Sequence, residues 1–243
     1  MKIVYLESGD GRGSLNLVLA QLGDITVSED GLGLTNKSES WSCEGLSADE
    51  LQQKSQATIN RPDRPLFLCG LSEARKLARA WMEMSMDGGL ILAGAEPLSL
   101  ADADAAMRPS RLVLACSRGH DVESLTYIRQ KGVKNYPCLL VTEEGVAETT
   151  FAIMEACRAY REIFIVISMD AIDPVFAPGV EKASPGGLTS REAIHLAQKL
   201  AILPNLRGVC LTGMDLSKDK DGLTASLAAV ICAELSRNAN KRV

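Results

Sequence analysis

The chain has 243 residues, of which 46% are hydrophobic and 23% charged, a composition that supports a buried core and excludes a largely disordered protein. The formal net charge is -5 and the basic residues are scattered, which argues against a nucleic-acid or anionic-membrane partner. No apolar run approaches the roughly 20 residues that a membrane-spanning helix needs, and the start MKIVYLESG is typical of a strand rather than of a signal peptide, so we expect a cytoplasmic protein.

Short apolar runs alternate with amphipathic patterns along the chain. The runs that we predict to be strands are 2–6, 24–28, 65–69, 89–93, 111–116, 138–142, 163–168 and 208–212. Apolar residues three or four apart predict helices at 71–84, 121–132, 146–160, 190–201 and 224–237. The segment 29–62 is the least regular and is rich in Ser, Gly and polar residues, which indicates either a long excursion or a partly flexible region.

This alternation predicts one domain, residues 1–243, built on a mainly parallel sheet. Continuously apolar runs such as IFIVIS indicate a sheet that helices cover on both faces. About eight strands with intervening helices also describe a closed β/α barrel. The pattern alone therefore leaves an open sheet and a barrel as alternatives.

The cysteines and histidines give no clear catalytic group. Seven cysteines are an odd number without CxxC spacing, and we expect buried free thiols. Cys69 and Cys116 end predicted strands, but no histidine is placed to activate them, which disfavours a thiol nucleophile. His195 fits a packing or surface role, and His120 lies at a turn where Asp121 is expected to cap the next helix.

One segment carries a family resemblance. Residues 167–193 read ISMDAIDPVFAPGVEKASPGGLTSREA and resemble the ureohydrolase signature SxDxDxxDPxxxPGxxxxxPGGLxxRE in one unbroken register. Weaker likenesses link PLFLCG at 65–70 to the strand PLVLGGDHS, and 207–235 to the terminal pattern VVGxDIVEVxPxxDxxxxTAxLAAxLxxE. The chain is thereby identified as a member of the arginase, agmatinase and formiminoglutamase family.

The resemblance implies a fold and an assembly. It implies an open, mainly parallel, about eight-stranded sheet in a three-layer αβα sandwich, with the active site at the carboxyl ends of the strands rather than in a barrel. It also implies trimers or hexamers. We therefore expect a homo-oligomer, or association with an active homologue.

The family's chemistry depends on two manganese ions, whose bridging hydroxide attacks a guanidinium or formimino carbon. Hard cations of this kind need carboxylate and imidazole ligands, which the family takes from GGDHS, DAHxD and SxDxDxxDP. This sequence departs from that pattern at five of the six ligand positions, and only Asp170 keeps the ligand type. The degenerate positions are Ser72, Ala93, Ala95, Pro97 and Ser168.

Three further residues bear on the active-site cleft that the resemblance implies at the carboxyl ends of the strands. The glutamate that holds the substrate guanidinium in the family corresponds to Gly213, so the substrate anchor is degenerate as well. A one-residue slip in the DAHxD alignment brings Glu96 inward, but one carboxylate does not replace two aspartates and a histidine. Asp173, the second acid of DxxDP, is expected to brace the turn before proline.

The sequence therefore predicts a ureohydrolase fold without manganese or another cofactor, retained as a binding, regulatory or partner subunit. The alternatives are a divergent hydrolase of amidine or guanidino C–N bonds, whose metal is held by Asp170, Glu96 and a partner chain, and a scaffold for an active ureohydrolase. We expect Asp170 to be hydrogen-bonded, paired or partly open to water, because an unpaired buried charge is costly. Lys182 is the nearest basic candidate to replace the absent ion.

Overall fold

The computed structural model describes residues 64–100 and 108–240, together with the strands at 3–7 and 43–47. The predicted strand at 24–28 lies outside these residues. Eight described strands form one parallel sheet in the order β2-β1-β3-β8-β7-β4-β5-β6. They are β1 Ile3–Glu7, β2 Cys43–Ser47, β3 Leu66–Leu68, β4 Gly88–Ala93, β5 Leu112–Ser117, β6 Lys134–Pro137, β7 Glu162–Ser168 and β8 Leu206–Thr212.

This linear strand order is that of an open sheet, which confirms the α/β sandwich and rules out the barrel. Six described helices accompany the sheet, and five of them were predicted. They are α1 Leu71–Met84, α2 Val122–Lys131, α3 Cys138–Glu144, α4 Val146–Cys157, α5 Ser190–Ala201 and α6 Leu223–Asn240. None of the described helices is long and apolar enough to cross a membrane.

Side chains of the central strands alternate between two cores, one on each face of the sheet. Ile165 of β7 belongs to the core that contains Leu196 of α5 and Ile153 of α4. Its neighbour Phe164 faces the opposite core, where it stacks on Trp81 of α1 at 5.7 Å between ring centroids. Helices therefore cover both faces, which explains the continuously apolar strands.

Local caps fix where two helices begin. The Asp121 side chain accepts a hydrogen bond from the backbone N–H of Ser124 at 2.7 Å, as the sequence predicted. Thr189 and Glu192 form a capping box at the start of α5, directly after the family signature loop. Both caps lie after loops that follow the carboxyl edge of the sheet.

One prediction of secondary structure is wrong. Residues 138–142 form the helix α3, whereas the strand of this region is β6, just before it. Short apolar runs do not distinguish strand from helix, and here only Cys138 is buried while Leu139 is 60% exposed. The segment 29–62, the least regular part of the sequence, contains the strand β2.

Candidate functional site

The sheet brings most of the predicted positions to one edge. The strands β3, β8, β7 and β4 are consecutive neighbours, so their carboxyl ends lie side by side. Ser168 ends β7 and pairs in register with Thr212, after which Gly213 follows β8. Ala93 ends β4 opposite Ile167 of β7. The convergence that the family resemblance implies is therefore present.

The side chains at this edge are mostly small. Ala93, Ala95 and Ser168 are buried, and Pro97 begins a short 3-10 helix. Ser72, in the first turn of α1, is exposed. Methyl groups and a proline ring supply no donor atoms for a cation.

Gly213 lies directly against Ser168. Its φ of 79° is in the left-handed region, and a Cβ at this position would clash with the Ser168 hydroxyl oxygen. Glycine therefore suits both the backbone conformation and the space at the predicted anchor position.

Asp170 is partly buried in the 3-10 turn Met169–Ala171 that follows β7. Its carboxylate accepts a hydrogen bond from the backbone N–H of Ala95 at 3.2 Å. This confirms the expectation that Asp170 is hydrogen-bonded and partly open to water. The suggestion that Lys182 pairs with it needs correction, because the ion-pair partner of Lys182 is Glu96.

Glu96 and Lys182 form an ion pair beside Asp170. The Glu96 carboxylate accepts a hydrogen bond from the Lys182 ammonium, and this contact raises the pKa of Lys182. Asp170 raises the same pKa further through its charge, so the ammonium lies in the field of both carboxylates. Glu96 thus reaches this edge of the sheet, as the one-residue slip in the alignment allowed.

His120 lies close to this ion pair. Burial lowers the pKa of His120, whereas the charges of Glu96 and Asp121 oppose that shift. Among the described residues its Nε2 atom has no hydrogen-bond partner. The neighbouring Gly119 lies against Glu96, since a Cβ at position 119 would stand 3.0 Å from the Glu96 side chain.

A loop that we call the strap, residues 178–188, is fastened to this edge by Arg118. Arg118 follows β5, and its guanidinium donates to four backbone carbonyls, two in the turn after β7 and two in the strap. The acceptors are Asp170 at 2.5 Å, Ala171 at 3.2 Å, Ser184 at 2.7 Å and Pro185 at 3.1 Å. Sequence reasoning missed Arg118, although a basic residue two positions after a predicted strand was a usable signal.

The other end of the strap reaches β8 and the start of α1. The backbone N–H of Glu181 donates to the Gly213 carbonyl at 3.1 Å, and the Lys218 ammonium donates to the Glu181 carbonyl at 3.0 Å. Burial and the charge of Asp215 raise the pKa of Glu181, while a hydrogen bond from the Leu71 N–H opposes that rise. The strap therefore contacts the turn after β3 as well as those after β8, β4 and β5.

Asp173 holds the turn that leads into the strap. Its carboxylate accepts hydrogen bonds from the N–H groups of Val175 at 3.0 Å and Gly186 at 2.7 Å. These bonds to the charged form lower the pKa of Asp173. The predicted bracing role is confirmed.

The six described cysteines outside β2 are buried free thiols, as predicted. Burial raises the pKa of Cys69 well above its usual value and that of Cys116 to about 12, which disfavours the thiolate that a nucleophile requires. Among the described residues, no three His, Cys, Asp or Glu side chains are grouped so that they can hold a metal ion.

Comparison with known proteins places this geometry in context. A family model described as Arginase family matches residues 83–236, more than half of the chain. The chain is 36% identical over 131 residues to proclavaminate amidinohydrolase of Streptomyces clavuligerus, covering 52% of this chain and 41% of that protein. It is 30% identical over 135 residues to arginase of Bacillus caldovelox, covering 53% and 44%. The matches thus span less than half the length of these curated relatives.

Solved structures give the same fold over nearly the whole chain. Formimidoylglutamase from Bacillus subtilis superposes with a TM-score of 0.83 at 17% identity, covering 99% of this chain and 87% of that one. Proclavaminate amidinohydrolase from Streptomyces clavuligerus gives a TM-score of 0.77 at 22% identity, covering 98% and 91%. These likenesses confirm the predicted fold.

Proposed function

The chain belongs to the arginase family, and we propose that it is a ureohydrolase-like protein that works without the family's pair of manganese ions. In this proposal it acts as a binding, regulatory or partner subunit rather than as an arginase or agmatinase. The relatives that match it include an arginase, a proclavaminate amidinohydrolase and a formimidoylglutamase, so the fold is one that otherwise carries hydrolases.

The observation that carries the proposal is the set of atoms at the carboxyl edge of the sheet. Two-metal hydrolysis needs several anionic or imidazole ligands to hold two cations and to lower the pKa of the water between them. The corresponding positions at the ends of β4 and β7 carry the methyl groups of Ala93 and Ala95, the hydroxyl group of Ser168 and a single carboxylate, Asp170. This donor set does not fit a pair of manganese ions.

The substrate side of the cleft supports the same conclusion. A guanidinium substrate needs an opposing carboxylate, and Gly213 supplies none. Its contact with Ser168 also leaves no space for a larger side chain without movement of β7 or β8. Recognition of a guanidino group would therefore need a different part of the cleft.

Metal content tests the proposal most directly. We expect the full chain, expressed with added manganese and dialysed, to contain far less than one manganese or zinc per chain and to release no urea from arginine or agmatine. An active arginase-family enzyme prepared in parallel is the positive control. About two metals per chain, together with urea release, would overturn the proposal.

We also propose that the chain assembles as a homo-oligomer, such as a trimer or hexamer, or with an active homologue. The family resemblance supports this part. Light scattering coupled to size-exclusion chromatography should then give a multiple of 26.0 kDa. A monomer that also fails to bind a co-expressed active homologue contradicts it.

A further inference from the structure

The two acids of the cleft come from adjacent strands. Glu96 follows β4 and Asp170 follows β7, and these strands pair with each other up to Ala93 and Ile167. The backbone N–H of Ala95, the residue next to Glu96, donates to the Asp170 carboxylate. Two carboxylates so placed attract a cation, and the strap supplies one in the ammonium group of Lys182.

We propose that Lys182 is a built-in cation that pairs with Glu96, offsets one of the two negative charges of Glu96 and Asp170, and keeps divalent metal ions out of the cleft. Without it, the two carboxylates form a single weak cation site. This inference deepens the proposed function and rests on it, because it explains how a cleft that keeps two acids stays free of metal.

The physical reason is competition within one chain. A lysine ammonium is a compact point charge, and tethering gives it a high effective concentration at the carboxylates. A divalent ion that binds Glu96 must displace this ammonium. The displaced ammonium stays close to the site and repels the ion. In water, a unit charge about 5 Å from a divalent ion weakens its binding by about tenfold.

The exposure of Lys182 indicates that the ion pair contributes little to the free energy of folding. Its side chain is 68% exposed, and exposed ion pairs contribute little to folding. Other contacts hold the strap in place, since Arg118 donates to Ser184 and Pro185, and Lys218 donates to Glu181. Replacing Lys182 should therefore change the charge of the cleft and leave the strap in position.

The experiment measures manganese binding to metal-stripped full chains, from the electron paramagnetic resonance signal of free Mn²⁺. We expect Lys182→Met to bind about one Mn²⁺ per chain at least tenfold more tightly than the unmodified chain. Adding Glu96→Gln to that variant should abolish the gain. Lys199→Met, an exposed lysine in the last turn of α5, makes the same change in net charge away from the cleft and should behave like the unmodified chain.

Three outcomes would overturn the inference. Equal binding by Lys182→Met and the unmodified chain is one, and an equal gain in Lys199→Met is another, because the effect would then be one of net charge. A gain that survives Glu96→Gln is the third. Circular dichroism checks folding, and Lys182→Gln provides a second variant with the same expected gain. Two manganese ions on the unmodified chain would instead overturn the proposed function itself.

Discussion

Replacing Arg118 by alanine removes the contact that ties the strap to the turn after β7. Four backbone carbonyls lose the hydrogen bond from the guanidinium, at distances between 2.5 and 3.2 Å. Pro185 is exposed and Ser184 is half-buried, so water can replace the guanidinium at both. The buried Ala171 keeps a hydrogen bond to its carbonyl from the Leu188 N–H at 3.0 Å, whereas the half-buried Asp170 loses the donor to its carbonyl.

The expected cost follows mainly from the Asp170 carbonyl, where water replaces the guanidinium only in part. A hydrogen bond to a charged group contributes about 1.5–3 kcal/mol, and an unsatisfied buried acceptor costs about 1–3 kcal/mol. Partial access of water lowers the sum, so we expect Arg118→Ala to destabilise the protein by about 3 kcal/mol. For a chain of this size, that corresponds to a decrease in Tm of about 6–12 °C.

Urea and thermal unfolding measure this change, and hydrogen exchange of the strap amides shows whether the loss is local. Arg158→Ala is the matched control, because Arg158 makes an exposed ion pair with Glu155 in the same helical segment and should cost less than about 1 kcal/mol. A loss below about 1 kcal/mol for Arg118→Ala, or one equal to that of the control, would refute the assigned role of Arg118.

Three further predictions concern the same edge and the thiols. Gly213→Ala should destabilise the chain by at least about 1 kcal/mol more than Gly132→Ala in urea unfolding, because both glycines have positive φ but only Gly213 has a neighbour in the way. Burial raises the pKa of Cys116 and Cys157 to about 12, so their reaction with a thiol reagent should be very slow at pH 8, faster at higher pH, and complete only after unfolding. Ser168→Asp alone should give no tight manganese binding by calorimetry, and tight binding would show that the ligand alignment is wrong.

The elements that the sequence predicted correctly are those with strong local signals. The helix α5 has a capping box at Thr189 and Glu192 and regular apolar spacing, so both its start and its type could be predicted. The strand β7 is a buried apolar run that leads into the family signature. The strand β6 has neither signal, because its residues 134–137 are half-buried at the end of the sheet and carry no apolar run.

The site was predictable in position but not in its contacts. Parallel strands bring their carboxyl ends to one edge, so Ser168, Asp170 and Gly213 could be placed there from the strand pattern and the motif. The ion pair of Glu96 with Lys182 joins residues 86 positions apart and depends on the path of the strap. No periodicity encodes such a path, which is why the sequence suggested Asp170 as the partner of Lys182.

The burial of the positions that correspond to the family's ligands supports the proposal that the chain works without the metal pair. Ala93 and Ala95 are 0% and 2% exposed, and charged ligands at such depth depend on a cation for compensation. Without the ion, each remaining acid would be a buried charge without a partner, so neutral side chains stabilise the fold at the very positions where acids would bind metal. Asp170 escapes this penalty because it is partly open and accepts a hydrogen bond from the Ala95 N–H. Ser168 has no such access, so Ser168→Asp should lower stability by several kcal/mol at neutral pH before it contributes to any metal site.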